Sequence, residues 1–492
     1  VKRSTVISGI LVGAVTSALA VAVLAFCHAA WDLPFAPFDI FEWISRALPG
    51  SIVTTGIDAM VSAIGALGIH PTSVAAKIAE QSLAIGMFVA GSAVLGAVIA
   101  VLGRRSIVLG LVAGGFWVTC ASLARAELGV LTPGAFACLV VALEGWGALA
   151  GVLLVHDASV PVESRRKFLA AIAIGTAVLV GITTLVRRRV RIGGGQTPEP
   201  PVRSLSPVRG TRPEITPNDR FYRVDINLEP AHVDARSWRL AIGGLVDRPL
   251  SLTLDELRAM TAVAQPITLE CISNPVGGDL IGTSVWTGVP LREVLDRAGV
   301  SARARFVRFA AADGFYECAS MNDVDDPRTL LVYAMNHAPL ADSHGFPLRL
   351  YIPDRHGMKL PKWITQIEVV DHDTSGYWVD RGWSATAIPH TTSVIDVVDG
   401  ASIGGIAYAG ARGIRKVEVQ VDGGPWLEAE LLAPPVSPLC WVLWRVQWPY
   451  APGRHTFAVR ATDGTGAVQT AVQRPPHPDG ATGLHTLVKT VS

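Results

Sequence analysis

Six cysteines are scattered along the 492 residues, at positions 27, 120, 138, 271, 318 and 440. No two share CxxC or any other zinc-ligand spacing, so each has to be read alone. A lone cysteine is commonly a small buried hydrophobe, whereas its thiolate is a soft ligand suited to metals already rich in sulfur. Cys271 stands in the run Thr268-Leu269-Glu270-Cys271-Ile272-Ser273-Asn274 and is the thiol to weigh for metal chemistry. Glu144 lies near the middle of a long apolar run, where an ionisable side chain is either functional or a protonated or helix-paired carboxyl. His28 ends the first apolar stretch, and His156 ends the one that contains Glu144. The net charge of +1 favours neither nucleic acid nor an acidic partner.

The elements that must position these groups fall into two halves. Half of the residues are hydrophobic, more than a soluble chain usually carries. Five runs approach the roughly 20 apolar residues that cross a bilayer: Thr5–Ala29, Gln81–Leu102, Ser106–Ala124, Ala135–Val155 and Phe168–Leu185. Ser51–Ile69 is shorter, contains Asp58 and reads as an interfacial or re-entrant helix. Five spans place Lys2 and Arg3, Arg104 and Arg105, and Arg165 to Lys167 together on the cytoplasmic side. Everything after Leu185 then lies outside the cytoplasm of a multi-pass plasma-membrane protein. Arg187, Arg188, Arg189 and Arg191 run against that bias. The segment Ser164-Arg165-Arg166-Lys167-Phe168-Leu169 resembles a twin-arginine export signal, which would carry an already folded domain across. In this topology His28 and His156 lie on opposite faces and cannot share a haem, so no internal haem path is expected. Cys27, Cys120 and Cys138 fall in the outer part of the bundle, as buried small residues or an outer-face disulfide.

Residues 1–186 thus form an all-α transmembrane bundle and 187–217 a Pro/Gly/Arg-rich tether. Residues 218–385 mix strand-like runs (Phe306–Ala311, Leu348–Ile352) with helical ones (Leu254–Met260, Leu291–Ala298), predicting an α+β domain. Residues 390–492 read strand after strand: Lys416–Val421, Trp441–Trp448 and His455–Ala461. Asp422-Gly423-Gly424 and Asp463-Gly464 mark the turns, predicting an all-β immunoglobulin-like sandwich.

Three stretches together carry a resemblance. They are the Cys271 run, the segment His344-Gly345-Phe346-Pro347-Leu348-Arg349-Leu350 continuing through Pro353, Gly357 and Lys362-Trp363, and Tyr408 to Gly410 followed by Arg415 to Val419 and Asp422-Gly423-Gly424. In this order they resemble the sulfite oxidase superfamily of molybdopterin enzymes across nearly all of 218–492. The resemblance implies a molybdenum–molybdopterin cofactor with Cys271 as the one protein ligand to the metal. One cysteine suffices because the cofactor's dithiolene brings the other sulfurs. It implies that Arg349, Lys362 and His344 hold the pterin and its phosphate, a bidentate fork beside a mobile point charge. Tyr222, Arg223 and Asn274 follow as further cofactor contacts. Tyr316 would take the place of the family's active-site tyrosine, and Lys416, or Arg415 with a one-residue shift, that of its substrate-holding cation. The last stretch looks like the family's dimerisation domain, which pairs some relatives and not others, so a homodimer stays open.

The sequence departs from the sulfite-oxidising members in the tyrosine region, where Tyr316-Glu317-Cys318-Ala319-Ser320 is one residue longer than theirs, and beside the ligand cysteine. They carry arginines just after the ligand cysteine, where this chain reads Cys271-Ile272-Ser273-Asn274-Pro275-Val276. Fewer cations suit a dianion such as sulfite less well. The reading is a membrane-anchored molybdenum oxidoreductase that moves an oxygen atom with two electrons, on a small substrate of sulfoxide type rather than sulfite. Electrons pass through an external partner. A cofactor-free membrane receptor, or a transporter working through Glu144 with the outer domain as binding module, is the alternative.

Overall fold

The computed structural model describes residues 3–102, 106–127, 131–154, 176–177 and 206–492. Two compact units emerge: Val1–Leu48 with Lys77–Gly193, and Pro49–Ala76 with Gly194–Ser492. The expected span Phe168–Leu185, the arginine groups at 104–105, 165–166 and 187–191, His156 and most of the tether lie outside the described residues.

Along the chain come helices α1 (Arg3–Trp31), α2 (Ala36–Ala47), α3 (Gly50–Ala66), α4 (Thr72–Leu102), α5 (Ser106–Glu127) and α6 (Pro133–Leu154). Among the described residues four helices, α1, α4, α5 and α6, are long and apolar enough to cross a membrane. The second span starts at Thr72, well before Gln81. Within the added turns Lys77 and Glu80 pair at 2.6 Å. The amphipathic α2 was not expected from sequence, and its Asp39 meets Arg125 of α5 at 3.0 Å. At 17 residues, α3 falls short of a span.

In lipid the hydrophobic effect does not drive helices together, so close backbone contact must. Gly110 of α5 and Gly147 of α6 supply it: a Cβ on either would lie 2.1 Å from the other's carbonyl oxygen. Glu144 rests beside Gly114 and Gly115 in the same seam. Its Oε2 is buried with no hydrogen-bond partner among the described residues.

The second unit begins with α3 and continues as a mixed domain. Its strands are β1 (Leu240–Gly244), β2 (Leu250–Leu252), β3 (Val263–Glu270), β4 (Ile281–Pro290), β5 (Phe306–Ala311), β6 (Tyr316–Ser320), β7 (Leu330–Met335), β8 (Ala338–Pro339), β9 (Arg349–Tyr351) and β10 (Ile364–Val370). Short helices α7 (Leu254–Arg258), α8 (Leu291–Ala298) and α9 (Met321–Asp325) connect them. Two five-stranded sheets result, one ordered β2-β1-β10-β5-β6, the other β3-β4-β7-β8 with β9 also on β7. The helices start where capping chemistry allows. Thr253 and Glu256 form a reciprocal capping box at α7, which satisfies two otherwise orphaned amides. Trp238, Leu240, Ile267, Trp286, Phe309, Leu350 and Ile367 belong to one core that joins both sheets.

The remainder is all strand: β11 (Thr392–Asp399), β12 (Ser402–Tyr408), β13 (Ile414–Val421), β14 (Trp426–Glu428), β15 (Glu430–Leu431), β16 (Val442–Gln447), β17 (Gly453–Asp463) and β18 (His485–Val491). They form two four-stranded sheets, β11-β12-β16-β15 and β14-β13-β17-β18. Ile403 and Trp444 of one sheet share a core with Val417, Phe457 and Val459 of the other. The expected turn at Asp422-Gly423 joins β13 to β14, and both residues take positive φ (50° and 70°), as a tight hairpin requires.

Candidate active site

Strand β3 leads straight into Cys271. Its last four residues are all buried, and the Thr268 hydroxyl meets that of Thr283 on β4. The chain then turns back, with Asn274 N–H donating to Cys271 O at 3.0 Å and Cys271 N–H to Leu280 O at 2.9 Å. Asn274 braces this loop. Its Nδ2 donates to Glu270 at 2.9 Å, and its Oδ1 accepts from the Leu280 amide at 3.0 Å. Cys271 is 7% exposed and its Sγ lies 3.0 Å from Ser273 Oγ. Burial raises the pKa of the thiol, so the free chain holds it protonated, and a bound metal would displace that proton.

Cys271 opens onto a cavity with about 910 Å³ of empty space. Tyr222, His344, Arg349 and Lys362 line the same cavity, although the chain separates Tyr222 from Lys362 by more than a hundred residues. Pairing of β9 with β7 puts Arg349 opposite Val332, deep in the fold. The guanidinium donates to His344 O at 3.2 Å and lies 4.8 Å over the Trp286 ring. Burial lowers its pKa to about 10. Among the described residues no carboxylate lies within 4.0 Å of it. A buried cation without a counter-ion is costly, so this wall requires an anion that the described chain does not supply. Burial, with help from Arg349, lowers His344 to about 4, leaving it neutral.

Lys362 is placed differently. It and Arg223 both bind the carboxylate of Asp225, which also lines the cavity. The Lys362 ammonium also reaches Ser343 O at 3.2 Å and lies 4.6 Å from the Trp363 ring. Half-buried Tyr222 stacks on Phe221 with centroids 5.3 Å apart. The far wall is apolar, built of Ile272, Met358, Phe315, Trp378, Trp383 and Ile57.

Two expected residues are not brought to this cavity. Side chains alternate along a strand, and Phe315 takes the cavity-facing place. Tyr316 therefore points away and donates to Asp380 at 2.5 Å. Lys416 sits on β13, where its ammonium meets Glu418 at 2.8 Å and Glu428 at 3.5 Å. Glu418 and Glu428 face each other across the β13–β14 register, so the lysine completes a surface charge ladder. Its neighbour Arg415 is exposed. Arg223 and Asn274 stand behind the cavity as an ion-pair partner and a loop brace.

Sequence reading missed Asp225, Glu270, His356, Trp378, Trp383 and Ile57. Glu270 is buried beside Cys271, and burial raises it to about 7. His356 is held near 4 by burial, with its Nδ1 3.3 Å from Glu270 O. Glu270 lies inside the Cys271 motif and was within reach. The apolar wall carries no such signal, because buried tryptophans and isoleucines look like core.

The metal cofactor implied by the sequence fits this lining on two observations: a lone buried thiol, and a guanidinium without a carboxylate in the same cavity. Comparison with known proteins agrees. Residues 227–378 match the family described as oxidoreductase molybdopterin binding domain. Residues 383–474 match the Mo-co oxidoreductase dimerisation domain. The chain is 35% identical over 174 residues to an Azospira oryzae protein named as protein-methionine-sulfoxide reductase subunit YedZ1, covering 35% of this chain and 63% of that one. Thus the chain spans less than two thirds of that relative's length. It is 28% identical over 273 residues to sulfite oxidase of Arabidopsis thaliana, covering 44% of this chain and 70% of the relative. The crystal structure of sulfane dehydrogenase SoxCD from Paracoccus pantotrophus shares the fold. The TM-score is 0.52 at 23% identity, over 61% of this chain and 90% of that one.

Proposed function

Since the chain belongs to the sulfite oxidase family of molybdopterin oxidoreductases, we propose that it reduces a neutral, sulfoxide-type substrate at the cavity beside Cys271. The observation that carries this reading is a cavity lining that combines the cations Arg349 and Lys362 with an apolar cluster of Ile272, Met358, Trp378 and Trp383. When bound, the molybdenum cofactor supplies two-electron oxygen-atom transfer. The chain's part is positioning. Cys271 ligates the metal, held in place by the loop that Asn274 braces. Arg349, with Lys362 and His344 nearby, takes the pterin phosphate, and Tyr222 flanks the pterin. Asp225 holds Lys362 in its place. Among the described residues lining the cavity Arg349 is the single guanidinium, and with it given to the pterin phosphate the rest suits a neutral oxygen acceptor rather than a dianion.

The four apolar helices, together with the fifth apolar run of the sequence at Phe168–Leu185, anchor the enzyme as a multi-pass protein of the plasma membrane, with the catalytic domain on the extracytoplasmic side. The paired C-terminal sheets are an immunoglobulin-like sandwich, whose match to a dimerisation domain supports a homodimer. Electrons come from an external partner. The relative named as a methionine-sulfoxide reductase subunit supports the sulfoxide class.

The test is steady-state kinetics of the purified full chain, with a reduced dye and a sulfoxide on one side, and sulfite with an oxidised acceptor on the other. The expected result is a kcat/KM for the sulfoxide about a hundredfold above that for sulfite. Preference for sulfite would overturn the substrate reading and leave the cofactor assignment standing.

A further inference from the structure

The apolar end of the cavity contains one feature that packing does not explain. Trp383 is 5% exposed, and its indole N–H has no acceptor among the described residues. A buried donor left unpaired is costly and calls for a reason. Trp117, Trp146 and Trp444 share the condition but do not line the cavity, whereas Trp383 does. It packs with Ile272, Met358 and Ala387, and Trp378 lies alongside with ring centroids 6.3 Å apart.

The same end is completed by a residue distant in sequence. Ile57, on α3, lines the cavity with Trp378 and Trp383. The helix can seat there because its first residue is Gly50. A Cβ at that position would lie 2.7 Å from Arg381 Cα, in the turn between the two tryptophans. Farther along, Asp279 accepts from the Thr72 backbone N–H at 2.9 Å and meets His70 at 3.2 Å, pinning the far end of the segment to the loop that follows Cys271.

We propose that Trp383 and Ile57 form the substrate subsite: the Trp383 N–H donates to the uncharged S=O oxygen, and Ile57 limits the size of the substituents on sulfur. This rests on the sulfoxide reading above and deepens it. A sulfoxide is a strong acceptor with apolar arms, so it satisfies the orphan donor and fills the apolar wall together. The product thioether has no oxygen, loses that hydrogen bond and leaves.

The test uses the full-length molybdenum-loaded chain and ligands that are not turned over. Methyl p-tolyl sulfone presents the oxygen acceptor, methyl p-tolyl sulfide lacks it, and dimethyl sulfone is the small counterpart. Dissociation constants are measured by calorimetry. Trp383→Phe is expected to weaken the tolyl sulfone about tenfold and to leave the sulfide within about twofold. Ile57→Trp is expected to weaken both tolyl ligands about tenfold and to spare dimethyl sulfone. Equal effects of Trp383→Phe on sulfone and sulfide, or none on either, would overturn the role of the N–H. Equal effects of Ile57→Trp on large and small sulfones would overturn the size limit. Should Trp383→Phe fail to load molybdenum, the wild type decides the N–H role, since it must bind the tolyl sulfone more tightly than the tolyl sulfide, and equal affinities would overturn it. If the wild type turns over sulfoxides but the variants bind like it, the subsite alone is wrong. If the wild type neither binds sulfones nor reduces sulfoxides, the substrate reading fails with it.

Discussion

The two ends of the cavity are built on opposite principles. At one end Arg349, Lys362 and His344 are held by carbonyls, an aromatic face and a shared carboxylate. Charge there is fixed before any ligand arrives, which suits a cofactor that stays. At the other end Trp378, Trp383, Ile57 and Met358 offer contact area and one spare donor. Such a surface binds loosely and without charge, which suits a substrate that must enter and leave. Within one pocket, a fixed charge holds a guest that stays and an uncharged surface lets one exchange.

The comparison breaks most visibly at Arg349. Arg349→Met removes the cavity-lining cation that has no carboxylate within 4.0 Å among the described residues, and is expected to cut cofactor retention about a hundredfold, read as molybdenum per chain after gel filtration. Retention near the wild-type level would move the phosphate elsewhere. Lys362→Met is expected to cost about tenfold on the same scale, because Arg223 still neutralises Asp225. An effect larger than that of Arg349→Met would reverse the ranking of the two cations.

The pH dependence of stability sharpens the same contrast. Burial holds His344, His356 and, in the C-terminal sheets, His485 near 4 in the folded chain, against roughly 6.5 when unfolded. The unfolded chain therefore binds more protons in that window, and stability falls as pH drops from about 6.5 to about 4. Glu270, raised to about 7 by burial, works in the opposite sense between its unfolded value and 7, as do Glu317 and Asp396, also raised by burial, and His455, raised by its hydrogen bond to Asp422. The buried histidines are expected to dominate, so thermal unfolding should show a lower Tm at pH 5 than at pH 7, and a flat profile would contradict that dominance. The smallest effect is expected at Lys416. Its ion pairs are solvent-screened, so Lys416→Ala should leave kcat/KM and Tm close to the wild-type values. A large loss of activity would return it to the site.

Much of the fold was legible because it is written locally. The strand at Phe306–Ala311 and the helix at Leu291–Ala298 are found at the bounds the sequence pattern gives. The same holds for residues whose chemistry is conspicuous: the structure gathers Cys271, Tyr222, His344, Arg349 and Lys362 around one space. What stayed hidden depends on long-range placement. Ile57 reads as one more apolar residue in a short helix, and only the seating of Gly50 against Arg381 brings it to the cavity. Trp383 reads as core, since a missing acceptor leaves no trace in sequence. Tyr316 and Lys416 show the converse. Their residue types suited the role, but strand alternation in one case and a cross-strand ion-pair ladder in the other turn them elsewhere.

The account stands most directly on the metal ligand. X-ray absorption at the molybdenum edge should be compared between the purified full chain and Cys271→Ser, with metal and pterin assayed in both. The expected result is about one molybdenum per chain in each protein, with one metal–sulfur contact and the Mo(V) resonance changed only in the variant. An unchanged metal–sulfur count in Cys271→Ser, with molybdenum fully retained, would contradict Cys271 as the ligand and the division of the cavity drawn from it.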